Sequence, residues 1–387
     1  MAVSQGARDL TRDMNHDLSV ELCTDEGEFG NVAAAWARLH RRCRTATPFQ
    51  SHAWLHSWWL SYGRRGRLRV VLVRKDGELI AAAPLMRAHV PLPALVPLGG
   101  AISDFTDVLL DDEYADEAAQ ALADGLSKLA RGALIDFREV RSGAALERIY
   151  ERWHGPRLRL ADSLCLELPA ASMEELLGRL PAPRAQRARA KIRKMDALGV
   201  ERRVVRHDEV DESVRTLLRL HQLQWQGRKV TSEHLQPRFS EHLIRSVGLM
   251  VRTGDAVVTE FRLDDAVVAA DLTLLSPHLV GGYLYGAHPQ LRERKVDVAT
   301  MLLNACTEHA EGDRSRVLSL LRGNEPYKHH WRPEAVTNHR FLLARRRTAP
   351  VLRAAAWDAA ARSRAKEFLR ERRERRERKE RPDQERS

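Results

Sequence analysis

One short string near the C-terminal end of the chain brings together several side chains that can do chemistry. It reads RGNEPYK from Arg322 to Lys328 and follows a predicted strand over residues 316–321. This pattern places polar groups at the carboxyl edge of a sheet, where ligands of α/β folds collect. Glu325 could orient or deprotonate an amine, Tyr327 could donate to a leaving group, and Lys328 could hold a phosphate, a carboxylate or an oxyanion. The alternative is an ion pair between Arg322 and Glu325 beside a packed tyrosine.

A second group of carboxylates lies in the first half of the chain. Asp104 and Asp107 follow the pair Gly99-Gly100 at the entry to a predicted strand over 106–110. Asp104 could act as a general base toward an amine in a cleft between the two halves. Capping of a turn is the commoner use of aspartate in such a place, and it remains the alternative.

Other local patterns argue against several classes of site. His52 and His56 have the i,i+4 spacing of a metal-binding helix face, but neither an H-E-x-x-H glutamate nor a third ligand accompanies them. The chain contains no G-x-G-x-x-G, Walker or G-x-S-x-G motif. We therefore predict no metal site and no dinucleotide, nucleoside-triphosphate or serine-hydrolase chemistry.

Length and composition limit the classes of protein to which these candidate sites can belong. The chain has 387 residues, of which 43% are hydrophobic, enough for two ordinary domains. Its four cysteines form no C-x-x-C pair, which favours a reducing cytoplasm over a disulfide scaffold. The sequence shows neither an apolar run of about 20 residues nor the apolar core of a signal peptide, so we predict no membrane span and no secretion signal.

The formal charge of +11 comes from two segments. Residues 340–387 contain 17 basic and 8 acidic side chains, and residues 184–206 contain 9 and 2, so the rest of the chain is net negative. Glutamate alternates with arginine in the tail at spacings that allow i,i+3 and i,i+4 pairs. This pattern favours a solvated or frayed helix over a dedicated nucleic-acid or membrane contact.

The elements that must position the candidate residues occur in one order twice. Hydrophobic periodicity predicts helix, helix, strand, hairpin, helix and strand in each half, which defines a mixed α/β class. In the first half the predicted helices are 26–42, 50–63 and 114–131, and the strands are 18–22, 68–74, 78–86, 106–110, 133–138 and 158–168. In the second half the predicted helices are 184–198, 208–226, 238–252 and 298–311, and the strands are 201–206, 256–263, 266–275, 279–287, 316–321 and 338–344.

Several strings, in this order, resemble one known family. They are TPFQSHAWLHSWWLSYG, GELIAAAPL, SDFTDVLL, LHQLQW and LLRGNEPYKHHW. Together they resemble the CelD-type branch of the GNAT-like acyl-CoA N-acyltransferases, a fold that is doubled in Fem-type transferases. The resemblance covers about residues 18–345. It implies an N-terminal GNAT-like domain (18–168) and a C-terminal GNAT-like acyltransferase domain (169–345). Outside these domains we predict a disordered leader (1–17) and a basic helical or frayed tail (346–387).

The resemblance also implies an activity and a set of site residues. It implies transfer of an acyl group from acetyl-CoA or another acyl-CoA to an amine, such as an amino sugar or another cell-envelope or polysaccharide precursor. We see no convincing nucleophile, so the amine would attack the thioester directly. The implied catalytic residues are Glu325, Tyr327, Lys328 and Asp104. The implied substrate-binding residues are Asp107, Arg322 and Asn324.

In the resembling proteins the coenzyme A pyrophosphate binds at a strand-to-helix turn, here over residues 288–300. The implied cofactor-binding residues are Arg292, Arg294, Lys295, Asp297, Val298, Ala299 and Thr300. The family usually has Pro-Gly where this chain has Val298-Ala299, and glycine would allow a closer approach of the pyrophosphate. An ordinary helix capped by Asp297 or Thr300 remains the alternative for this turn.

Two further hypotheses remain open. One is an accessory module that kept the fold and lost cofactor binding. The other is aminoacyl-tRNA-dependent transfer, in which the helix over 184–194 and the tail would contact phosphates.

Overall fold

Fourteen strands join into one sheet in the part of the chain that the structure describes. The structure is a computed structural model, and it describes residues 7–12, 18–89, 93–224, 232–310 and 316–361, together with residues 364 and 372. The strands are β1 (Ala7–Arg12), β2 (Leu18–Cys23), β3 (Leu68–Lys75), β4 (Glu78–His89), β5 (Pro93–Pro97), β6 (Leu109–Leu110), β7 (Leu134–Val140), β8 (Arg157–Pro169), β9 (Glu201–Val204), β10 (Ala256–Leu263), β11 (Ala266–Leu275), β12 (Leu279–Ala287), β13 (Val317–Arg322) and β14 (Glu334–Leu343).

Helices cover both faces of this sheet. They are α1 (Glu26–Asn31), α2 (Ala33–Arg42), α3 (His52–Tyr62), α4 (Ala115–Leu129), α5 (Ala145–Glu151), α6 (Met173–Gly178), α7 (Ala182–Ala197), α8 (Val210–Gln224), α9 (Pro237–Thr253), α10 (Pro289–Glu293), α11 (Val298–Ala310) and α12 (residues 349–361). No helix in the described ranges is both long enough and apolar enough to cross a bilayer.

The two halves of the chain use the same strand order. In the first half β2, β3, β4 and β5 are antiparallel neighbours, and β7 then pairs parallel with β5. In the second half β9, β10, β11 and β12 are antiparallel neighbours, and β13 pairs parallel with β12. The predicted mixed α/β class with a doubled unit is therefore confirmed.

Each half gives its last strand to the other half. β8 pairs antiparallel with β13, β14 pairs antiparallel with β7, and β8 and β14 pair with each other along most of their length. The boundary predicted between residues 168 and 169 falls at the last residue of β8, and the exchanged strands interlock the two halves in space.

The two helical layers bury different parts of the core. On one face α3 packs against α9, and a continuous apolar cluster runs from the first half into the second. Trp54, Trp58 and Trp59 of α3 are all buried in this cluster. On the other face α4 and α5 cover the first half, while α7 and α11 cover the second.

Some local elements differ from those predicted. The helix expected over 26–42 breaks at Val32, directly after Gly30-Asn31, a weak helix-forming pair. The strand expected over 106–110 shrinks to β6, because the Asp107 side chain binds backbone N–H groups there instead. Residues 7–12 form β1, in a segment for which we expected no order. Most of the predicted tail helix and the last two residues of the helix over 208–226 lie outside the described residues.

Close approach of α8 to β12 depends on Gly286. A Cβ built there would lie 2.3 Å from the backbone nitrogen of His221 and 2.5 Å from the carbonyl oxygen of Leu217. Backbone atoms of a packed helix cannot move as the end of a flexible side chain can, so any larger residue must push α8 off the sheet.

We therefore expect Gly286→Ala to lower the free energy of unfolding by about 2 kcal/mol or more, measured by urea denaturation. Gly178→Ala is the matched control, because a Cβ at that helical glycine would meet no atom within 4 Å. Equal stability of the two variants would contradict this account of the α8–β12 contact.

Candidate functional site

The parallel strands β12 and β13 separate soon after they begin. Their registered pairs are Leu279 with Val317, Val280 with Leu318 and Gly281 with Ser319, after which β12 continues to Ala287 without its neighbour. A bulge in β13 accompanies the separation, and Leu321 there has a φ of +58°, a left-handed conformation that is costly for a branched side chain. The separation leaves a wedge-shaped opening in the sheet.

A pocket of about 110 Å³ occupies this opening. We call it the wedge pocket. One wall is a single face of α11, formed by Ala299, Leu302, Leu303 and Cys306 at i, i+3, i+4 and i+7. Residues of β11, β12 and β13 form the opposite wall, and the 3₁₀ turn Lys328–Trp331 closes the end.

Lys328 is held in a fixed position at this end of the pocket. Its Nζ donates to the carbonyl oxygen of Arg322 at 2.9 Å and lies 2.8 Å from a carboxylate oxygen of Glu325. Gly323, at a φ of +115°, makes the turn that brings these groups together, and a Cβ there would lie 2.5 Å from the Glu325 carboxylate. The ion pair of Arg322 with Glu325, given above as the alternative, does not form, because Glu325 pairs with Lys328.

Tyr327 also lines the wedge pocket, with 46% of its surface exposed. Burial of the phenol raises the pKa of Tyr327 to about 12, so this side chain is a proton donor at neutral pH. Glu325 is half-exposed, and Asn324 is exposed with its Oδ1 against His329. Of the predicted string, the structure thus places Tyr327 and Lys328 in the pocket wall.

Sequence reasoning missed one acid of this pocket, Asp271 on β11. The side chain is buried, and its Oδ2 accepts a hydrogen bond from the Thr273 hydroxyl at 2.7 Å. Burial raises the pKa of Asp271 to about 7. The available signal was one aspartate inside an otherwise apolar strand, AVVAADLTLL, where an acid has no structural use as a turn or cap.

Cys306, on α11, faces the same carboxylate. Its Sγ lies 3.2 Å from the Thr273 hydroxyl oxygen and 3.8 Å from Asp271 Oδ2. Burial is the main cause that raises the pKa of the Cys306 thiol well above its ordinary value, so this cysteine is not an activated nucleophile. All four cysteines are free and buried.

The turn predicted to bind a cofactor leads into the first turn of α11. Asp297 caps this helix, its Oδ1 accepting from the backbone N–H of Thr300 at 2.9 Å while its Oδ2 pairs with Lys191 of α7. Among the described residues, nothing accepts a hydrogen bond from the N–H groups of Val298 and Ala299. The helix therefore offers two open donors beside the wall residue Ala299.

The other predicted residues of this turn stand around that helix end. Arg292, Arg294 and Lys295 are exposed, and Arg294 lies 3.8 Å from Asp264. Thr300 is buried behind the first turn. Of the seven predicted cofactor residues, Ala299 alone lines the wedge pocket.

Arg322 fastens the two halves together beside the pocket. Its Nε lies 2.6 Å from Asp104, its Nη1 3.2 Å from Glu139, and its Nη2 donates to the carbonyl oxygen of Ala101 at 3.0 Å. All three partners belong to the first half. The structure therefore assigns the side chains of Asp104 and Arg322 to the contact between the halves.

Asp107 does not face a cleft. It is buried, and its carboxylate accepts from the backbone N–H groups of Ala145 and Leu146 at 2.9 Å each, which caps α5. The capping alternative is what the structure shows for this aspartate. Among the described residues, no cluster of three or more His, Cys, Asp or Glu is arranged to hold a metal ion.

Comparisons with known proteins agree with this geometry. Residues 182–329 match the family model described as an acetyltransferase (GNAT) domain, and this segment contains β12, α11, β13 and Lys328. No curated protein matches the chain by sequence.

Several solved structures share the fold at low identity. FemX is 12% identical, with 83% of this chain and 98% of FemX covered and a TM-score of 0.58. The C-terminal domain of a putative lysylphosphatidylglycerol synthetase from Agrobacterium fabrum is 10% identical, with 86% and 96% covered and a TM-score of 0.54. L-PGS from Bacillus licheniformis is 10% identical, with 91% and 99% covered and a TM-score of 0.50.

Residues 182–329 thus match the model of a GNAT acetyltransferase domain, and the chain shares its overall fold with these solved structures. Every lining residue of the wedge pocket except Trp331 lies inside the matched segment, whereas Asp104 lies in the other half.

We expect Arg322→Ala to destabilise the protein by about 3 kcal/mol at pH 7, because it leaves the largely buried carboxylates of Asp104 and Glu139 without their cation. Burial already raises the pKa of Asp104. Without the guanidinium this pKa rises further, so the folded form takes up a proton as the pH falls and the deficit shrinks at pH 5. Urea denaturation at both pH values measures the loss of stability that Arg322→Ala causes.

Adding Asp104→Asn to Arg322→Ala is the matched control and should recover part of the lost stability. A deficit that is the same at pH 5 and pH 7, and that the second substitution does not reduce, would contradict this account of the contact.

Proposed function

We propose that the chain is an N-acyltransferase that moves an acyl group from coenzyme A to an amine at the wedge pocket. The observation that carries this proposal is the separation of β12 from β13 beside α11. It opens a path through the sheet from the N-terminal end of a helix to a buried ammonium group. A carrier anchored at the helix end could place its acyl group beside Lys328.

The residues present fit coenzyme A. The open N–H groups of Val298 and Ala299 and the positive end of α11 suit the pyrophosphate, and Lys295 adds charge nearby. From Ala299 to Cys306 the pocket wall spans two helical turns, roughly 10 Å, along which part of the pantetheine arm could lie. Coenzyme A would supply the activated thioester.

The pocket residues then have distinct roles. Lys328 carries a positive charge that can stabilise the oxyanion developing on the acyl carbonyl, in a site where little water screens it. Tyr327 holds a phenolic proton that it can give to the departing sulfur. Cys306 stays protonated, which supports direct attack by the amine over an acyl-enzyme.

The acceptor class rests on the resemblance to CelD-type proteins, and we propose an amino sugar or another cell-envelope or polysaccharide precursor. The amine would approach the wedge pocket from the side on which the two halves meet, beside the contact of Asp104 with Arg322. The four free thiols support a cytoplasmic location.

One observation favours a second candidate, transfer from an aminoacyl-tRNA. Arg184, Arg187 and Arg193 of α7 are exposed, and none of them forms an ion pair within the described residues. α7 packs against α11, so these arginines belong to a helix that lies beside the donor end of the wedge pocket. A salt-dependent mobility shift with bulk tRNA that these three arginines support would favour the second candidate over coenzyme A.

We expect acetyl-CoA to bind the wild-type chain with measurable heat and to raise its melting temperature. Ala299→Gly should tighten binding several-fold, because it removes a methyl group at the mouth of the pocket and lets the pyrophosphate come closer. Isothermal titration calorimetry measures the heat and affinity for both proteins, and a thermal melt measures the shift in melting temperature. Absence of heat for both proteins would support the accessory module that has lost cofactor binding.

Lys328→Met should lower kcat by about 100-fold, since it keeps the packed stem and removes the charge that stabilises the oxyanion. Lys75→Met is the control: Lys75 also holds an ion pair, with Glu117 at 2.6 Å, but it lies in the other half. Steady-state transfer assays and thermal melts separate catalysis from folding. An unchanged kcat for the Lys328 variant would remove Lys328 from the mechanism.

A further inference from the structure

Asp271 is the one carboxylate among the described residues that line the wedge pocket. It lies on β11 opposite Tyr285 of β12, and only 3% of its surface is exposed. An acid in such a place loses its hydration and must recover the cost through hydrogen bonds or a cation.

The described residues offset little of this loss of hydration. Thr273 and Cys306 both bind Oδ2, and no described residue donates a hydrogen bond to Oδ1. No lysine, arginine or histidine of the described chain forms an ion pair with this carboxylate. One oxygen is therefore left for a donor that the protein does not provide.

The titratable groups that line the pocket with Asp271 leave its Oδ1 without a donor. From α11 the facing group is the Cys306 thiol, from β12 it is Tyr285, and from the closing turn they are Tyr327 and Lys328. The Lys328 ammonium is already bound by the Arg322 carbonyl and by Glu325. Burial raises the pKa of the Cys306 thiol and of the Tyr327 phenol, so both are uncharged at neutral pH.

Glu325, the base suggested by the sequence, is less suitable. Its side chain is 48% exposed and pairs with Lys328 at 2.8 Å, so its lone pairs already serve a cation in contact with solvent. Asp271 is buried, and its Oδ1 accepts no hydrogen bond from the described residues.

We propose that Asp271 is the general base that takes the proton from the attacking amine, an inference that rests on the proposed function. The amine nitrogen forms a bond to the acyl carbon, and the carbon–sulfur bond breaks. One proton moves from the nitrogen to Oδ1 of Asp271. The sulfur leaves with the bonding electron pair and receives a proton from Tyr327, which is exposed enough to regain one from solvent.

The ionisation of Asp271 suits this role. Burial raises the pKa of its carboxyl to about 7, near the pH at which a base must both accept and release a proton. Below this pH the carboxyl is protonated and cannot act. The rate should therefore rise with pH through the neutral range.

The experiment compares Asp271→Asn with the wild type in transfer assays from pH 5.5 to 9, with acetyl-CoA and a panel of amino-sugar acceptors. We expect kcat to fall by about 100-fold or more and the rise near pH 7 to disappear. Acetyl-CoA binding, followed by calorimetry, should change by less than about threefold, because the substitution keeps the shape of the side chain.

Asp111→Asn is the matched control. Asp111 is an equally buried acid in the first half, where it pairs with Arg42 at 2.8 Å, and its variant should keep the wild-type rate and pH profile. Asp271→Glu tests whether a carboxylate restores part of the rate. If Asp271→Asn melts at a much lower temperature than the wild type, the pH profile of Asp271→Glu is compared with that of the wild type instead.

The outcomes separate the two levels of inference. A wild type that transfers acyl groups, with an Asp271→Asn variant of equal rate and unchanged pH profile, overturns the base and leaves the proposed function standing. A wild type that neither binds acetyl-CoA nor transfers from it overturns both. A loss of rate at every pH with the neutral rise still present assigns Asp271 to structure and overturns the base.

Discussion

The exchange of last strands between the halves is the constraint on which the rest of the structure depends. Because β8 lies between β14 and β13, the strand that carries Arg322 is hydrogen-bonded to a strand from the first half. Arg322 then acts in two directions. Its guanidinium binds Asp104 and Glu139 of the first half, while its carbonyl oxygen holds the Nζ of Lys328. The first half therefore positions the ammonium group of a pocket to which its own side chains do not belong.

The halves share a topology but differ where a donor would bind. In the first half α4 takes the place of α11, and its first turn contains Asp116 and Glu117. Carboxylates at that position compete with a phosphate for the positive helix end. In the second half α7 and the turn before α11 surround the equivalent helix end with basic side chains, and among the described residues Asp297 is the acid that contacts it. The electrostatics of the two helix ends therefore favour the second half as the place where the proposed donor would bind.

The sequence predicts well those features that depend on short-range patterns. The hairpin of β3 and β4 follows from Asp76-Gly77, which both adopt the positive φ that its turn requires. β5 was not predicted, because it has a proline at each end and proline is typical of turns. The partners of Arg322 could not be read at all, because Asp104 lies 218 residues away and an apolar strand pattern does not specify its neighbour. The exchange of β8 and β14 was hidden for the same reason.

The contrast between Lys328 and Asp271 shows how this pocket divides its chemistry. Both are buried, yet Lys328 has two oxygen partners at 2.8–2.9 Å, whereas a hydroxyl and a distant thiol are the partners that Asp271 receives. An ammonium with two fixed partners holds its charge in a fixed place and keeps its third N–H for a developing oxyanion. An undersaturated carboxylate is costly to bury and changes its protonation with little loss of other contacts. The same low-dielectric pocket therefore suits the cation to the positional role and the acid to the reactive role that we propose for them.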